Sequence, residues 1–134
     1  MSIADIKRLL QEKSSFDQNI GIQIKQLEVE DVILELPITP FLLNYNKILH
    51  GGVYAVLLDA VIGLTIRSQT ENSLVTVNLN ISYLAPVQEG EKIVATGKIL
   101  NRGNSLVTGE GEVRDSSGNI LAKAIGTFKM IRHR

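Results

Sequence analysis

Asp59 is the only acid in an apolar stretch that runs from Ile48 to Ile66 and contains two glycines directly after His50. From Val53 onward nearly every position in this stretch is apolar, which predicts a helix buried on all sides. Lost hydration destabilises a carboxylate in such a helix by roughly several kcal/mol unless a neighbour compensates it. Asp59 is therefore the first candidate for catalysis. The alternative is a structural carboxylate held by neighbouring hydroxyl groups.

Gly51 and Gly52 stand at the expected start of this helix, where backbone N–H groups have no partner within the helix. Glycine lets a ligand approach these amides closely, and the helix dipole favours negative charge there. The pair could hold an oxyanion or a polarised carbonyl, or it could only permit close packing of the helix start. His50 is expected to cap the helix or bond a loop carbonyl more readily than to act as a base.

The spacing between the glycine and the acid predicts two cooperating chains. Asp59 follows Gly51 by eight residues, which is about 12 Å along a regular helix. That distance is too long for both residues of one chain to touch the same carbonyl. If they cooperate, they must come from two chains whose helices lie antiparallel.

The elements before this helix are short. Residues 3–13 read as an amphipathic helix. Alternating apolar residues at 20–24 and 32–36 predict two strands. Residues 41–49 form a loop that holds Asn44 and Asn46, and the central helix is expected at about 50–69.

Every predicted element after the central helix is a strand. Apolar Val75, Val77, Leu79, Ile81 and Tyr83 alternate with polar residues, and further strands are expected at about 92–101, 105–114 and 119–131. These elements predict an α+β fold in one domain, 1–134, with a curved antiparallel sheet of five to six strands wrapped around one long helix. Because the edges of such a sheet would be open, we expect a homo-oligomer.

Composition excludes several classes of function. Fourteen basic residues balance 14 acidic ones and there is no cysteine, so no nucleic-acid partner, disulfide or thiolate zinc site is expected. The N-terminal residues lack the apolar core of a signal peptide. The buried stretch is too short to span a bilayer and carries Asp59. We therefore expect a cytoplasmic protein without a membrane partner, a metal or a separate cofactor.

The motifs together resemble a known family. Asn44 lies six residues before His50-Gly51-Gly52, Asp59 lies nine after the histidine, and a later strand ends Asn80-Ile81-Ser82-Tyr83-Leu84-Ala85-Pro86. This combination resembles the hotdog-fold acyl-CoA thioesterases of the PaaI-like group, over nearly the whole chain.

The resemblance implies roles for five catalytic-site residues. Asp59 would be the catalytic carboxylate, and the Gly51 amide of the partner chain would polarise the thioester carbonyl. Asn44 and His50 would order the loop and the acyl group, and Thr76 would help to place the water. Thr76 belongs to the polar row of its strand, so either a bulge or the dimer interface turns it toward the helix, or its catalytic role is wrong.

The resemblance also implies positions that hold coenzyme A, which would be part of the substrate. Two of them, Arg102 and Lys129, are basic. The full set consists of Tyr83, Asn101, Arg102, Gly103, Asn104, Ser105, Leu106 and Lys129.

The main hypothesis is thus an acyl-CoA thioesterase for a small aromatic or medium-chain acyl group, active as a dimer at minimum and expected as a tetramer. Asp59 would act as general base or as nucleophile, and the sequence leaves both routes open. The alternative is a non-catalytic hotdog protein that binds acyl-CoA as a sensor or scaffold. A hotdog dehydratase ranks lower, because the histidine–acid pairing for that chemistry is missing.

Overall fold

The computed structural model describes residues 2–10 and 15–131 of the chain. Two short helices lie at the N-terminus, α1 over Ile3–Leu10 and α2 over Phe16–Asn19. The first confirms the start of the helix predicted over 3–13, whereas residues 11–13 lie outside the described residues. In the described part of the chain, no helix combines the length and the apolar character that crossing a membrane requires.

One long helix and a six-stranded sheet form the rest of the fold. Helix α3 spans Gly51–Arg67, close to the predicted bounds, and a short 3-10 turn at Pro40–Leu42 precedes it. The strands are β1 Gln23–Glu28, β2 Asp31–Pro37, β3 Ser73–Tyr83, β4 Lys92–Arg102, β5 Leu106–Arg114 and β6 Ile120–Ile131.

All strand pairs are antiparallel, in the order β1-β2-β4-β5-β6-β3. Strands β1 and β3 therefore form the two edges of the sheet, although β3 lies in the middle of the sequence. This arrangement confirms the predicted α+β fold with one antiparallel sheet around a central helix.

Helix α3 packs on the sheet through large apolar side chains and through strand glycines. Leu57, Leu58, Val61 and Ile62 of the helix are fully buried. Opposite them, a Cβ atom added to Gly97 of β4 would lie 2.5 Å from Thr65 Oγ1 and 2.9 Å from the Val61 carbonyl oxygen. Gly109 and Gly111 of β5 have similarly little room. Helix α3 can therefore pack this closely on the two central strands only because these three positions are glycines.

One predicted strand begins later than expected. Ile20 ends helix α2 as its C-cap, and Gly21 turns the chain with a positive φ of 102° before β1 begins at Gln23. The prediction that Ile20 alternates within a strand was therefore wrong. Its side chain is nevertheless buried in the core, which explains why its apolar character fitted a strand pattern.

Candidate active site

The structure brings Asp59 and Thr76 into direct contact. Asp59 lies in the middle of α3 and Thr76 lies near the start of β3. The Thr76 hydroxyl donates a hydrogen bond to Asp59 Oδ1 across 2.6 Å. A hydroxyl bound to a carboxylate keeps its lone pairs free to accept from a third group, such as water.

A β-bulge turns Thr76 toward the helix. In the pairing of β3 with β6, Thr76 faces Phe128 and Asn78 faces Thr127, which leaves Val77 as the extra residue. A bulge shifts the alternation of side chains along its strand. The bulge, one of the alternatives that the sequence left open, is thus present, and the strict alternation predicted for the strand was wrong at its start. Val75 and Val77 point outward, with 45% and 59% of their surface exposed.

Asp59 lies on a half-buried stripe of α3, so the prediction of a helix buried on all sides was wrong. The sheet covers one side of the helix, and α2 packs against only part of the other. A row of helix residues between them, which includes the acid, stays half-buried. The stripe consists of Val56, Asp59, Ala60, Gly63 and Arg67.

Asp59 and Thr76 open into a cavity of about 380 Å³ between α3, the N-terminal helices and β3. Its wall is mostly apolar and includes Ile6, Leu64, Leu74 and Phe128. The polar residues that line it are Asp17, Asp59, Arg67 and Thr76. The arrangement could hold an apolar group beside a carboxylate, which suits acid–base or nucleophilic chemistry at the end of an apolar substrate.

Asp17 is a second carboxylate in this cavity, and the sequence reasoning missed it. It lies on α2, whose N-cap Ser15 accepts a hydrogen bond from the Gln18 amide at 3.1 Å. Burial, and to a lesser degree the nearby charge of Asp59, raises the pKa of Asp17. The spacing from Ser15 to Gln18 is that of a capping box, a signal that could have revealed the short helix.

The start of α3 presents one free amide. His50 is the N-cap, and its Nδ1 accepts a hydrogen bond from the Gly52 amide at 2.8 Å. The simpler expectation for His50, a helix cap, is therefore confirmed. The Gly51 carbonyl accepts from the Tyr83 hydroxyl at 3.0 Å. Within the described part of the chain the Gly51 N–H makes no hydrogen bond, so it can bind a ligand oxygen.

Asn44 holds the loop that leads to this helix. Its Oδ1 accepts from the amides of Asn46 at 2.9 Å and Ile48 at 3.3 Å. The Asn44 amide in turn donates to the Ile48 carbonyl at 2.8 Å. These bonds hold the loop between Asn44 and Ile48 in its turn.

One chain does not bring Gly51 and Asp59 together. Helix α3 is continuous between them, so they stand about 12 Å apart along its axis. Gly51 is also absent from the described residues that line the Asp59 cavity. A complete site of the implied type therefore needs the helix start of a second chain.

The residues implied in coenzyme A binding fall at two ends of the chain's sheet. The β4–β5 turn lies next to Lys129, since Leu106 pairs with Lys129 and the Ser105 carbonyl accepts from the Met130 amide. The Gly103 amide donates to the Leu106 carbonyl and closes the turn. Tyr83 lies at the opposite end, beside Gly51.

Arg102 and Asn101 belong to β4, just before this turn. The Arg102 guanidinium donates to Gln69 Oε1 at 3.4 Å, which places it beside the C-terminal end of α3. Asn101 pairs with Thr108 after an irregularity in the register. The β4–β5 turn thus lies near the C-terminal end of α3, the end formed by Arg67.

Comparison with protein families places these features in context. The family model described as "Thioesterase superfamily" matches residues 46–122, more than half of the chain. The match includes the helix start, Asp59, Thr76 and the β4–β5 turn.

Relatives with similar sequences cover most of the chain. The medium/long-chain acyl-CoA thioesterase YigI of Escherichia coli K12 is 28% identical, over 84% of this chain and 83% of its own. Acyl-coenzyme A thioesterase 13 of Mus musculus is 24% identical, over 91% and 89%. Archaeal relatives of similar length have names that go no further than an unproven esterase.

Solved structures share the fold. The PaaI protein of E. coli superposes with a TM-score of 0.88 at 20% identity, over 97% of this chain and 94% of its own. The protein smu.793 of Streptococcus mutans, solved with acetyl CoA, gives 0.82 at 24% identity, over 92% and 97%. These likenesses confirm the hotdog fold.

Proposed function

Because the chain belongs to the thioesterase superfamily, we propose that it hydrolyses the thioester of an acyl-CoA, with Asp59 as its catalytic carboxylate. The observation that carries this proposal is the hydrogen bond from Thr76 to Asp59 at the edge of a mostly apolar cavity. This contact fixes the direction of the carboxylate. It also leaves a polar position for water beside the place where a thioester carbon would lie.

Asp59 has two chemically balanced routes to hydrolysis. As a general base, it takes a proton from water while the water oxygen attacks the carbonyl carbon and the thiolate leaves. As a nucleophile, its oxygen attacks the same carbon, expels the thiolate and forms a mixed anhydride that water then hydrolyses. In either route the Thr76 hydroxyl holds one carboxylate oxygen and can accept a hydrogen bond from the water.

The negative charge that develops on the carbonyl oxygen needs a donor, which we assign to the Gly51 amide of a partner chain. This amide makes no hydrogen bond within the described residues and lies at a helix N-terminus, where anionic charge is stabilised. The open edge strand β3 and the half-buried stripe of α3 provide surfaces for such a partner.

The cavity accounts for the class of acyl group that we propose. Its volume of about 380 Å³ and its apolar wall suit a small aromatic or medium-chain acyl group. YigI is named a medium/long-chain acyl-CoA thioesterase and smu.793 was solved with acetyl CoA, which supports a CoA thioester as the substrate.

The test is a panel of acyl-CoA substrates with the free thiol measured as it is released. We expect the parent protein to turn over aromatic or medium-chain substrates. We expect Asp59→Asn to keep the fold and to lower kcat about 100-fold or more, because an amide can neither accept the proton nor attack.

Two results would contradict the proposal. Asp59→Asn activity at the parent rate would remove Asp59 from catalysis. Ligand-dependent melting of the parent protein without any thiol release would indicate a binding protein instead of an enzyme. Asp31→Asn, an exposed acid at the start of β2, is the control and should keep the parent kcat.

A further inference from the structure

Two tyrosines join the start of α3 to the end of β3. The Tyr83 hydroxyl donates to the Gly51 carbonyl at 3.0 Å, from the strand to the helix. The Tyr54 hydroxyl donates to the Ala85 carbonyl at 3.2 Å, from the helix to the segment that follows the strand. The two rings meet edge to face, with centroids 5.7 Å apart and an interplanar angle of 77°, a favourable aromatic geometry. We call these two side chains and their two bonds the tyrosine clamp.

The tyrosine clamp is anchored in the core on one side and on the sheet on the other. Tyr54 is buried, with only 3% of its surface exposed. The segment after β3 is bound to β6, because the amides of Leu84 and Ala85 both donate to the Leu121 carbonyl. Close packing and these bonds leave both anchors little freedom. The clamp can therefore hold a helix start, a position that otherwise tends to fray.

The clamp acts on the peptide group next to the free amide of α3. The peptide group between Gly51 and Gly52 is planar and is held at both ends. Its carbonyl accepts from Tyr83, and its N–H donates to His50 Nδ1 at 2.8 Å. The Gly51 N–H belongs to the preceding peptide group and makes no hydrogen bond within the described residues. Because glycine itself restricts rotation between the two groups only weakly, holding the Gly51 carbonyl limits the direction of this N–H.

We propose that Tyr83 is a positioning residue for the oxyanion donor. Through its bond to the Gly51 carbonyl, it fixes the amide that polarises the thioester carbonyl in the site of the partner chain. This inference rests on the proposed function, which assigns that amide to the reaction. A backbone amide stabilises a developing oxyanion best when its direction is set before the reaction. Tyr83 thus serves the reaction centre of the other chain, whereas Thr76 of the same strand serves that of its own.

The first experiment measures kcat and KM of Tyr83→Phe with an acyl-CoA substrate. We expect kcat to fall about 10-fold, less than the roughly 100-fold or more for complete loss of an oxyanion donor, because the amide is kept but less well aligned. The KM should stay within about twofold of the parent value. Tyr45→Phe, which removes the hydroxyl of a fully exposed tyrosine, is the control and should keep both constants.

Two kinetic results would overturn the proposal. An unchanged kcat for Tyr83→Phe would show that the clamp does not affect the reaction. A raised KM with an unchanged kcat would instead favour the contact with coenzyme A that the resemblance implied for Tyr83.

Mixing two variants tests which chain Tyr83 serves. Tyr83→Phe keeps Asp59, and Asp59→Asn keeps Tyr83. If the clamp acts on the partner, each mixed dimer contains one site in which both residues are intact, and equal amounts refolded together should show about one quarter of the parent activity. If Tyr83 acts within its own chain, that site is impaired. The mixture should then show only about one twentieth of the parent activity, which would overturn the proposal.

An NMR measurement separates this inference from the proposed function. If the parent hydrolyses no thioester, the proposed function fails, but relaxation of the Gly51 amide still reports whether the clamp restricts it. We expect a lower order parameter for this amide in Tyr83→Phe than in the parent, and equal order parameters would overturn the proposal. If Tyr83→Phe does not fold, Tyr54→Phe, which removes the other bond of the clamp, takes its place with the same expectations.

Discussion

At the scale of single residues, the site depends on how one bulge aligns two side chains. Asp59 could be identified from the sequence, because it is one acid among apolar residues. Thr76 was named only through a resemblance, and its direction could not be derived from its own strand. The bulge at Val77 is defined by the pairing of β3 with β6, about 50 residues away in the chain. The alternation of apolar and polar residues within β3 therefore cannot predict this bulge.

Asp17 is expected to reduce stability at neutral pH. Burial and the charge of Asp59 raise its pKa in the folded protein above the ordinary 3.8, so the native state holds the proton more tightly than the unfolded chain does. Stability therefore falls as pH rises from about 3.8 through the raised folded pKa, and the loss persists above it. Asp17→Asn should raise the Tm at about pH 7 and leave it unchanged near pH 3.

Thermal melting at both pH values measures this effect, which should be modest because Asp17 is only half-buried. Asp31→Asn, at an exposed position, is the control. A lower Tm for Asp17→Asn at neutral pH, or a gain of equal size at both pH values, would show that the ionised carboxylate is not the cause.

At the scale of elements, the strongly periodic segments were predictable and the short one was not. The bounds of α3 and of the last three strands followed from apolar patterns and turn residues. Helix α2 has only four residues, too few for a helical period to emerge. The role of the glycines that face α3 could not be predicted either. These glycines allow the helix to lie close to β4 and β5, and this distance depends on elements that are far apart in sequence.

Gly97→Ala should destabilise the protein by about 1–3 kcal/mol, the usual range for overpacking a core. The added methyl group would lie 2.5 Å from Thr65 Oγ1 and 2.9 Å from the Val61 carbonyl oxygen. Since this oxygen is backbone and also accepts the Thr65 hydroxyl at 2.7 Å, neither neighbour can move without losing a contact.

Urea unfolding at one fixed protein concentration measures the loss, because stability depends on concentration if the chains associate. Thr96→Ala, on the outward side of the same strand, is the control and should change the free energy of unfolding by about 0.5 kcal/mol or less. Equal losses for the two variants would show that the glycine has no special role in seating α3.

At the scale of the whole molecule, two chains are expected to share each site. Asp59 and Thr76 meet within one chain, whereas Gly51 is two helical turns away. The need for a partner followed from the sequence spacing alone, since it depends only on the rise of a helix. The sequence spacing does not predict which surfaces of the two chains meet. The edge position of β3, which would be one of them, is evident only in the folded sheet.

Mixing two inactive variants should restore activity. Asp59→Asn removes the carboxylate, and Gly51→Pro removes the amide donor. Proline suits the first position of a helix, and the extended His50 before it, with ψ at 135°, is compatible with it. Each variant alone should lose about 100-fold or more in kcat. Refolded together in equal amounts, they should recover about one quarter of the parent activity, because half the dimers then contain one intact site.

The control mixture combines Asp59→Asn with Thr76→Ala. These residues meet within one chain, so no pairing of these two chains restores a site, and no activity beyond that of the separate variants is expected. If the first mixture also gains nothing although the chains exchange, the shared-site arrangement is wrong.

The order of the strands has a consequence for synthesis on the ribosome. Strand β3 carries Thr76, yet its neighbour β6 ends at Ile131, and Ser73 pairs with that last residue of the strand. A growing chain therefore exposes β3 without this neighbour until β6 has been translated, and such unpaired strands favour aggregation. Thr76 is thus fixed in place only after the last strand of this sheet has been synthesised. Early termination within β6 would leave Thr76 without the pairing that sets its direction.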